Sequence, residues 1–257
     1  MPIDFHAPAN RHTYATRWVD RSWVEGVTVL IDPAGKRVLD IGCGGGTYTR
    51  AWAELGAAEV TGIDFSEPFL ATAAERCRDL PQVGFRRADA TATGLPDGCA
   101  EIVFERALIH HLADRAALVR EAHRLLVPGG TYLVQDRTPD DVRLPGAPDH
   151  PRGYLFERFP RLLAIEAGRR PETAEVRGWL RAAGFREMGD FVLWETRQVH
   201  PTVEALAADY LDRHGRSILH ELSDEELAEF VAELKERLPD AGPVTERDRW
   251  TIWWARK

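Results

Sequence analysis

The sequence contains few cysteines and no long apolar run. Its only cysteines are Cys43, Cys77 and Cys99, an odd number without the spacing of a metal site. This pattern excludes a disulfide framework and is typical of a reducing compartment. No segment approaches the ~18 apolar residues that cross a bilayer, and the first residues lack the basic and apolar regions of a signal peptide. We therefore expect a cytoplasmic protein without a membrane partner.

The chain also lacks an excess of positive charge. Its 33 Lys and Arg residues face 41 Asp and Glu residues, which gives a net charge of −8. Such a charge offers no general attraction for nucleic acid, so we expect no nucleic-acid partner. A length of 257 residues suits one α/β domain with a sizeable core and insertions. We expect a single domain over residues 1–257, and the sequence leaves open whether it forms a homodimer.

The most informative segment that is present is a glycine-rich turn after an apolar strand. Four residues recur at every second position along the strand end and the turn: Asp40, Gly42, Gly44 and Gly46. Glycines in such places let the backbone approach a ligand closely. The dinucleotide pattern Gly-x-Gly-x-x-Gly fails, because Thr47 or Thr49 stands where its third glycine is required. The phosphate-loop pattern fails as well, since no Gly-Lys-Ser/Thr follows.

Three later segments follow this turn in a fixed order. Residues 60–66 predict a second strand that ends in Asp64, and Asp89 follows a short third strand. A Pro-Gly-Gly turn at residues 128–130 then joins a helix end to a further strand. Together these motifs resemble those of the class I S-adenosylmethionine-dependent methyltransferases, over residues 36–136. Residues 108–112 are similar to the Leu-His-His segment of the ubiquinone and menaquinone biosynthesis type.

The resemblance implies that S-adenosyl-L-methionine binds at these motifs. It places the ribose hydroxyls on Asp64 and the adenine amino group on Asp89. The implied cofactor contacts are Asp40, Gly42, Cys43, Gly44, Gly46, Asp64, Phe65, Asp89, Ala90, Glu105 and Arg106. Other readings stay open, since Asp64 could instead cap the following helix and Asp89 could be an ordinary turn residue.

Glu105, Arg106 and His110 are the candidates for the chemistry. Glu105 could bind the cofactor's ammonium group or act as a base, and Arg106 could pair with its carboxylate. The alternative is a mutual salt bridge or a solvent-facing pair. His110 and His111 have an intrinsic pKa suited to proton transfer, although a cap or packing role is as common. Methyl transfer is an in-line displacement, so a base is needed only for a hydroxyl or a protonated amine.

Strands and helices alternate between residues 36 and 136. We expect strands near 37–41, 59–63, 83–87, 101–105 and 131–136, which predicts a parallel sheet with helices on both faces. A sixth strand is expected at 185–195, and the resemblance makes 249–254 a seventh, antiparallel strand. The result is a Rossmann-like α/β fold of seven strands, mostly parallel, with its ligand site outside the carboxyl ends of the strands.

The remaining segments predict a helical cover for that site. We expect residues 1–33 to form an N-terminal helical arm, residues 34–136 the cofactor-binding core, and residues 137–184 and 196–244 cap or insertion segments. We expect an irregular loop at 137–151 and helices near 156–166 and 172–183. Two amphipathic helices are expected within 202–238, the second opened by a capping box at Ser223.

The cover predicts a pocket for a small, partly apolar acceptor that is methylated at O, N or C. We expect Tyr14, Trp18, His110 and Tyr154 to line it, although ordinary core packing is the commoner role of such aromatics. Three alternatives remain: a protein or RNA acceptor, a cofactor-binding module without catalysis, and a nucleotide-dependent oxidoreductase, which the glycine register disfavours. The spacing of cysteines and histidines predicts no metal site.

Overall fold

One mixed sheet organises the fold. The computed structural model describes residues 19–213, 215–239 and 242–257. Its strands are β1 (Arg37–Ile41), β2 (Glu59–Asp64), β3 (Val83–Arg87), β4 (Ala100–Arg106), β5 (Leu126–Asp136), β6 (Glu187–His200) and β7 (Val244–Arg256). Their order is β3-β2-β1-β4-β5-β7-β6, and β7 runs antiparallel to both of its neighbours. The predicted seven-stranded Rossmann-like sheet with an antiparallel last strand is confirmed.

Helices cover both faces of this sheet. The helices that precede or connect the strands are α1 (Arg21–Thr28), α2 (Thr47–Glu54), α3 (Glu67–Arg76) and α4 (Arg115–Leu125). Those that follow β5 are α5 (Pro139–Val142), α6 (Pro151–Arg158), α7 (Pro160–Gly168), α8 (Thr173–Ala183), α9 (Val203–Leu211) and α10 (Asp224–Arg237). None of the helices in the described residues combines the length and the apolar character that a bilayer crossing requires.

Alternation along the strands divides the apolar residues between the two faces. In β1, Leu39 and Ile41 join a cluster with Leu118 of α4 and Leu180 of α8, whereas Val38 joins the cluster around α1 and α2. Successive side chains of a strand point to opposite faces, so one strand serves both clusters. Strands buried on both faces account for the near-continuous apolar runs in the sequence.

A third apolar cluster lies outside the sheet. Its buried members come from α5, α6 and α7, which precede β6 in the sequence, and from α9, α10 and the start of β7, which follow it. They include Leu155, Phe156, Tyr210, Phe230 and Leu234. We call these helices the cap. The capping box at its last helix is confirmed, since Ser223 and Glu226 exchange side-chain and backbone hydrogen bonds.

Several element bounds differ from those expected. The helix expected at 156–166 is divided, because Pro160 begins α7 and cannot continue α6. The loop expected at 137–151 contains the short helix α5, which Thr138 and Asp141 open with a capping box. The strand expected at 131–136 starts earlier, at Leu126, and a bulge shifts its register against β4.

Candidate functional site

The glycine-rich turn lies at the carboxyl end of β1, beside the end of β2. Gly42, Gly44 and Gly46 have φ values of 73°, 52° and 77°, a left-handed conformation that favours glycine. The amides of Gly42 and Cys43 donate to the carbonyl of Ile63 at 2.7 and 3.0 Å. The turn is thereby tied to β2 through its backbone.

The three glycines face different surroundings. A Cβ at Gly42 would lie 3.0 Å from the Leu108 side chain, and one at Gly46 would lie 2.9 Å from the Cβ of Ala73. A Cβ at Gly44 would meet no atom within 4 Å. Packing against the Ala73 backbone therefore requires glycine at the third position, and at the first the Leu108 side chain would have to shift, while the middle position faces open space next to the turn.

Two acidic side chains flank the turn. Asp64, at the end of β2, accepts the amide of Gly44 on Oδ2 and the amide of Ser66 on Oδ1, both at 2.9 Å. Asp40 is buried on the α2 side of the sheet, where Thr49 Oγ1 donates to it at 2.6 Å. Burial raises the pKa of Asp40 to about 7. The structure thus brings both predicted acids to the glycine turn.

The other residues predicted to contact the cofactor lie around the same edge. Phe65 follows Asp64 and exposes 44% of its surface. Asp89 and Ala90 follow β3, and Asp89 Oδ1 accepts the amide and the hydroxyl of Thr91 at 2.7 and 2.6 Å. Asp89 therefore forms a local turn with Thr91, which is the alternative role that the sequence left open for it. Burial raises the pKa of the Cys43 thiol well above its usual value, which does not favour a nucleophilic role.

Glu105 is buried at the end of β4. Its Oε1 accepts the hydroxyl of Tyr132 at 2.6 Å, and its Oε2 has no hydrogen-bond partner among the described residues. Burial raises the pKa of Glu105 to about 8, so the carboxyl group is mostly protonated at neutral pH. The strand turns it toward the face covered by α4 and α8, where Tyr132 packs.

Arg106 points to the opposite face. Its Nη2 lies 2.9 Å from Glu195 Oε2, which also accepts Gln135 Nε2 at 2.8 Å. The guanidinium carbon is 4.7 Å from the ring centre of Tyr48 and 4.0 Å from that of Trp250. Glu105 and Arg106 therefore form neither a mutual salt bridge nor a solvent-facing pair.

A cleft opens beside Arg106, on the same face as α2. It encloses about 270 Å³, partly open to solvent, and its inner part has room for about one water molecule. Tyr48, Arg106, Asp248 and Trp250 are among its lining residues. Because Tyr48 follows the glycine turn directly, this cleft and the open space at Gly44 occupy the same edge of the sheet.

His110 lies in a one-turn helix, Ile109–His111, that follows β4. Its Nδ1 is 2.7 Å from Asp136 Oδ2, at the end of β5, and 2.7 Å from Nη1 of Arg170. Burial and Arg170 lower the pKa of His110 to about 4. Burial alone would raise the pKa of Asp136, but His110 and Arg170 hold it below its usual range.

Because Asp136 is ionised, it can only accept a hydrogen bond. Arg170 Nη1, which can only donate, lies equally close to Nδ1, but it has Asp136 Oδ1 as another acceptor at 2.5 Å. We therefore assign the Nδ1 proton of His110 to the bond with Asp136. The assignment leaves the lone pair on Nε2. The ring is neutral at neutral pH and can accept a proton.

Of the three aromatic residues predicted for the acceptor pocket, Tyr154 belongs to the part of the chain that the structure describes. The ring of Tyr154 packs on Gly146 and lies 4.9 Å from the guanidinium carbon of Arg237, both outside the sheet. Tyr14 and Trp18 lie outside the described residues. Whether these three line a pocket stays a prediction.

Sequence reasoning missed much of the polar surroundings. Asp136, Arg170 and Glu195 contact predicted site residues, and Trp250 packs on Arg106. Only Asp136 carried a local signal, since the polar run Gln-Asp-Arg ends an apolar strand at the edge where ligands bind. The other three come from distant segments.

In the described residues, one group of side chains has the spacing of metal ligands: His200, Asp209 and Glu246. Glu246 Oε2 lies 2.6 Å from Arg216 and 3.1 Å from Arg197, while Asp209 accepts Arg216 at 2.5 Å. Two arginines thus already neutralise the two carboxylates. The group is an ion-pair cluster rather than a cation site.

Known methyltransferases are similar to this chain in sequence. A family model described as a methyltransferase domain matches residues 39–134. The ubiquinone biosynthesis O-methyltransferase of Methylococcus capsulatus is 42% identical over 103 residues, which are 39% of this chain and 43% of that protein. The trans-aconitate 2-methyltransferase of Methylobacterium nodulans is 33% identical over 220 residues, 82% of this chain and 80% of that protein.

Solved structures of methyltransferases share the fold of this chain. An S-adenosylmethionine-dependent methyltransferase from Mesorhizobium loti superposes with a TM-score of 0.54, at 22% identity, over 92% of this chain and 97% of that chain. At this identity the likeness concerns the fold alone, and the sequence relatives carry the family assignment. The chain therefore belongs to the S-adenosylmethionine-dependent methyltransferases, enzymes that transfer the methyl group of this cofactor to an acceptor.

Proposed function

We propose that this methyltransferase acts on a hydroxyl or amine of a small acceptor and that His110 accepts the proton released. The observation that carries the proposal is the 2.7 Å contact between His110 Nδ1 and Asp136 Oδ2, at the carboxyl ends of β4 and β5. The contact orients the imidazole and leaves Nε2 as the proton acceptor. A base of this kind contributes about 10² to 10⁴ to the rate.

The residues at the glycine turn fit the cofactor. The open space at Gly44 admits a ligand against the backbone, Asp64 has an orientation fixed by two amides, and Phe65 exposes a ring beside it. We propose that Asp64 accepts both ribose hydroxyls and that Phe65 packs on the adenine. When bound, S-adenosylmethionine supplies an electrophilic methyl group on its sulfonium. What remains for the protein is chiefly to align the acceptor with that methyl group.

Asp40, Cys43, Asp89, Ala90, Glu105 and Arg106 complete the proposed cofactor set. Arg106 already pairs with Glu195, so a cofactor carboxylate would share this guanidinium with it. Glu105 is mostly protonated at neutral pH, so it is not available there as a base, and it would bind the ammonium group after losing its proton. We therefore assign Glu105 to cofactor binding rather than to catalysis.

Methyl transfer from labelled S-adenosylmethionine tests the proposed acceptor class. The purified protein is incubated with a metabolite library and, separately, with protein and RNA acceptors. We expect label in small hydroxyl or amine compounds only. Labelled protein or RNA would overturn the acceptor class, and cofactor binding without transfer to any of the three would favour a module without catalysis.

Gly44→Val should abolish detectable binding of S-adenosylhomocysteine, because the side chain would fill the space that the ligand is proposed to occupy. Gly35→Val is the matched control: Gly35 also has a positive φ of 71° with no atom near its Cβ, but it precedes β1 at the opposite end of the strand. Both variants carry the same backbone strain. Calorimetric titration of both should show binding only in the control, and binding by Gly44→Val would remove the turn from the site.

Glu105→Gln should change how stability depends on pH. The folded protein keeps a proton on Glu105 up to a pKa of about 8, whereas the unfolded chain loses it near the ordinary value of 4.5. Stability contributed by this group therefore falls as pH rises from about 4.5 to 8, by on the order of 3 kcal/mol. The glutamine cannot ionise, so the variant should gain about this much over the wild type between pH 5 and pH 8.

Denaturant unfolding at both pH values measures this gain. Glu101→Gln is the control on the same strand, because Arg37 lowers the pKa of Glu101 and the gain should be absent. An equal pH dependence in wild type and Glu105→Gln would show that Glu105 is ionised in the fold.

We further propose the domain arrangement expected from the sequence: one domain with an arm at 1–33, a core at 34–136 and a cap from 137–184 and 196–244. The shared apolar cluster of the two cap segments supports it.

Three free cysteines support a cytoplasmic location. The edge strand β6 exposes Val192 and Val199, which supports a homodimer, and light scattering of the purified protein tests that state.

A further inference from the structure

Asp136, the partner of His110, is itself held by two other donors. Its side chain is fully buried at the end of β5. Oδ1 accepts the backbone amide of Arg137 at 2.7 Å and Nη1 of Arg170 at 2.5 Å. Oδ2 lies 2.7 Å from His110 Nδ1. Because two donors hold one oxygen, the plane of the carboxylate is fixed and its second oxygen is directed at the imidazole.

Arg170 is anchored on its other side to the cap. Its Nη2 donates to Glu166 Oε1 at 2.8 Å, and Glu166 lies one turn earlier, in α7. The side chains of Arg170 and Glu166 are 3% and 1% exposed. A guanidinium group can serve two carboxylates at once, because its N–H groups form a rigid planar fork. Arg170 therefore bridges a helix of the cap and the end of β5.

The contact between Arg170 and Asp136 decides how His110 is bound. Arg170 Nη1 also lies 2.7 Å from His110 Nδ1, so it could donate to an unprotonated Nδ1 and leave the proton on Nε2. The bond from Arg170 to Asp136 is shorter and joins opposite charges, which makes it the stronger of the two. With Arg170 engaged in this way, Asp136 accepts the hydrogen bond from Nδ1, and Nε2 keeps its lone pair.

The charged groups that act on His110 belong to two segments. Arg170 and Arg169 lie in the connection between α7 and α8, and Asp136 lies on β5. Burial and Arg170 lower the pKa of His110 to about 4, while Asp136 acts against them and Arg169 acts with them. The imidazole therefore stays neutral at neutral pH, although its hydrogen-bond partner is an ionised carboxylate.

Other ionisable groups near His110 leave this balance as it is. His111, whose ring centre is 3.9 Å from that of His110, is neutral because burial lowers its pKa to about 3. Glu105, on β4, is mostly protonated at neutral pH. Arg115, at the start of α4, directs Nη2 to the carbonyl of Arg169 at 2.6 Å. Among the described residues, Arg170 is thus the cation in direct contact with the ring.

We propose that Arg170 is a positioning residue for the base: it holds Asp136 with Oδ2 toward His110 and so keeps the imidazole neutral, with its proton on Nδ1. Nε2 is then free to take the proton that the acceptor releases when its oxygen or nitrogen gains the methyl group. The inference rests on the proposed function, and it adds to that site a residue anchored in the cap. In this role Arg170 acts only through Asp136 and His110.

Nitrogen NMR of the imidazole groups tests the proposal without turnover. Long-range proton–nitrogen spectra of the labelled protein, recorded from pH 5.5 to pH 8, show the tautomer and the charge of each histidine. The signals lost in His110→Ala assign this residue. We expect wild-type His110 to carry its proton on Nδ1 and to stay neutral over this range. In Arg170→Met its pKa should rise by about one to three, because a neighbouring positive charge is removed, and the ring should gain charge toward pH 5.5.

Two further variants separate this role from a structural one. Arg170→Lys keeps the charge without the two-way fork, so it should restore the neutral ring at least in part. Arg152→Met is the matched control, since Arg152 is 6% exposed and its ion pairs within the described residues are with Glu166 and Asp248. It should leave the pKa of His110 unchanged. Where Arg170→Met does not fold, Arg170→Gln replaces it, and the same rise is expected because the charge is again lost.

The outcomes are distinct. A wild-type proton on Nε2 would mean that Arg170 itself binds Nδ1, and an unchanged tautomer and pKa in the folded Arg170 variant would leave Arg170 only a structural tie; either result overturns the proposal. Turnover of Arg170→Met should rise with pH through the raised pKa of His110, whereas the wild-type profile is flat. If His110→Ala keeps wild-type turnover, the proposed function fails by itself, and the NMR measurement still decides whether Arg170 positions the ring.

Discussion

Asp64→Ala is expected to lose about 2 to 4 kcal/mol of cofactor binding free energy while the protein remains folded. The carboxylate is proposed to accept two ribose hydroxyls, and charge-assisted bonds of this kind have that combined strength. Asp64 also accepts the amide of Gly44, so the variant loses part of the order of the turn itself. Calorimetric titration of S-adenosylhomocysteine measures the loss.

The control for this prediction is Asp97→Ala, an exposed aspartate that pairs with Arg124 and lies away from the turn. It should bind the cofactor like the wild type. A folded Asp64→Ala protein with unchanged affinity would exclude Asp64 from the site, and the helix-capping role considered for it from the sequence would then be its whole function.

His110→Ala is expected to lower turnover by about two to four orders of magnitude, the usual effect of removing a general base. Cofactor affinity should be retained, since the proposed cofactor set does not include His110. His111→Ala is the matched control, because its ring packs against that of His110 at 3.9 Å within the same short helix. Turnover near the wild-type value in His110→Ala would leave alignment of the reactants as the main source of catalysis.

The wild-type pH profile gives a second measurement of the same role. A base works in its deprotonated form, so turnover should rise with pH through the pKa of His110, which lies at about 4. Between pH 6 and pH 8 turnover should therefore be flat. An imidazole with the ordinary pKa near 6.5 would instead give about a fourfold rise over this range. Such a rise, absent from His110→Ala, would mean that the cofactor or the acceptor shifts the pKa upward.

The fold was largely predictable, because the signals that determine it are local. β1 and β3 lie where the sequence places them, since each is a short apolar or β-prone run between turn residues. β6 and β7 extend well beyond their predicted bounds. Their outer halves pair with each other, from Glu195 with Asp248 to His200 with Val244, and no residue pattern within either strand reveals that pairing.

The candidate site was predictable only in part. Asp40, Gly44 and Asp64 meet because carboxyl ends of neighbouring parallel strands share one edge. The contacts of Glu105 and Arg106 could not be predicted from their neighbouring positions in the sequence, because consecutive residues of β4 point to opposite faces of the sheet. The buried ion pair between Arg137 and Asp248 was missed altogether, because the two residues lie more than a hundred positions apart and only tertiary packing buries them together.

The position of β7 has a consequence for how the chain folds. This strand is the last of the seven in sequence, yet it lies between β5 and β6, where Leu133 pairs with Trp254 and Gly189 pairs with the same tryptophan. Until it inserts, β5 and β6 both keep an unpaired edge, and such edges promote association of partly folded chains. Pairings this distant in sequence also close slowly. Refolding should therefore be limited by insertion of β7, and its yield should fall as protein concentration rises.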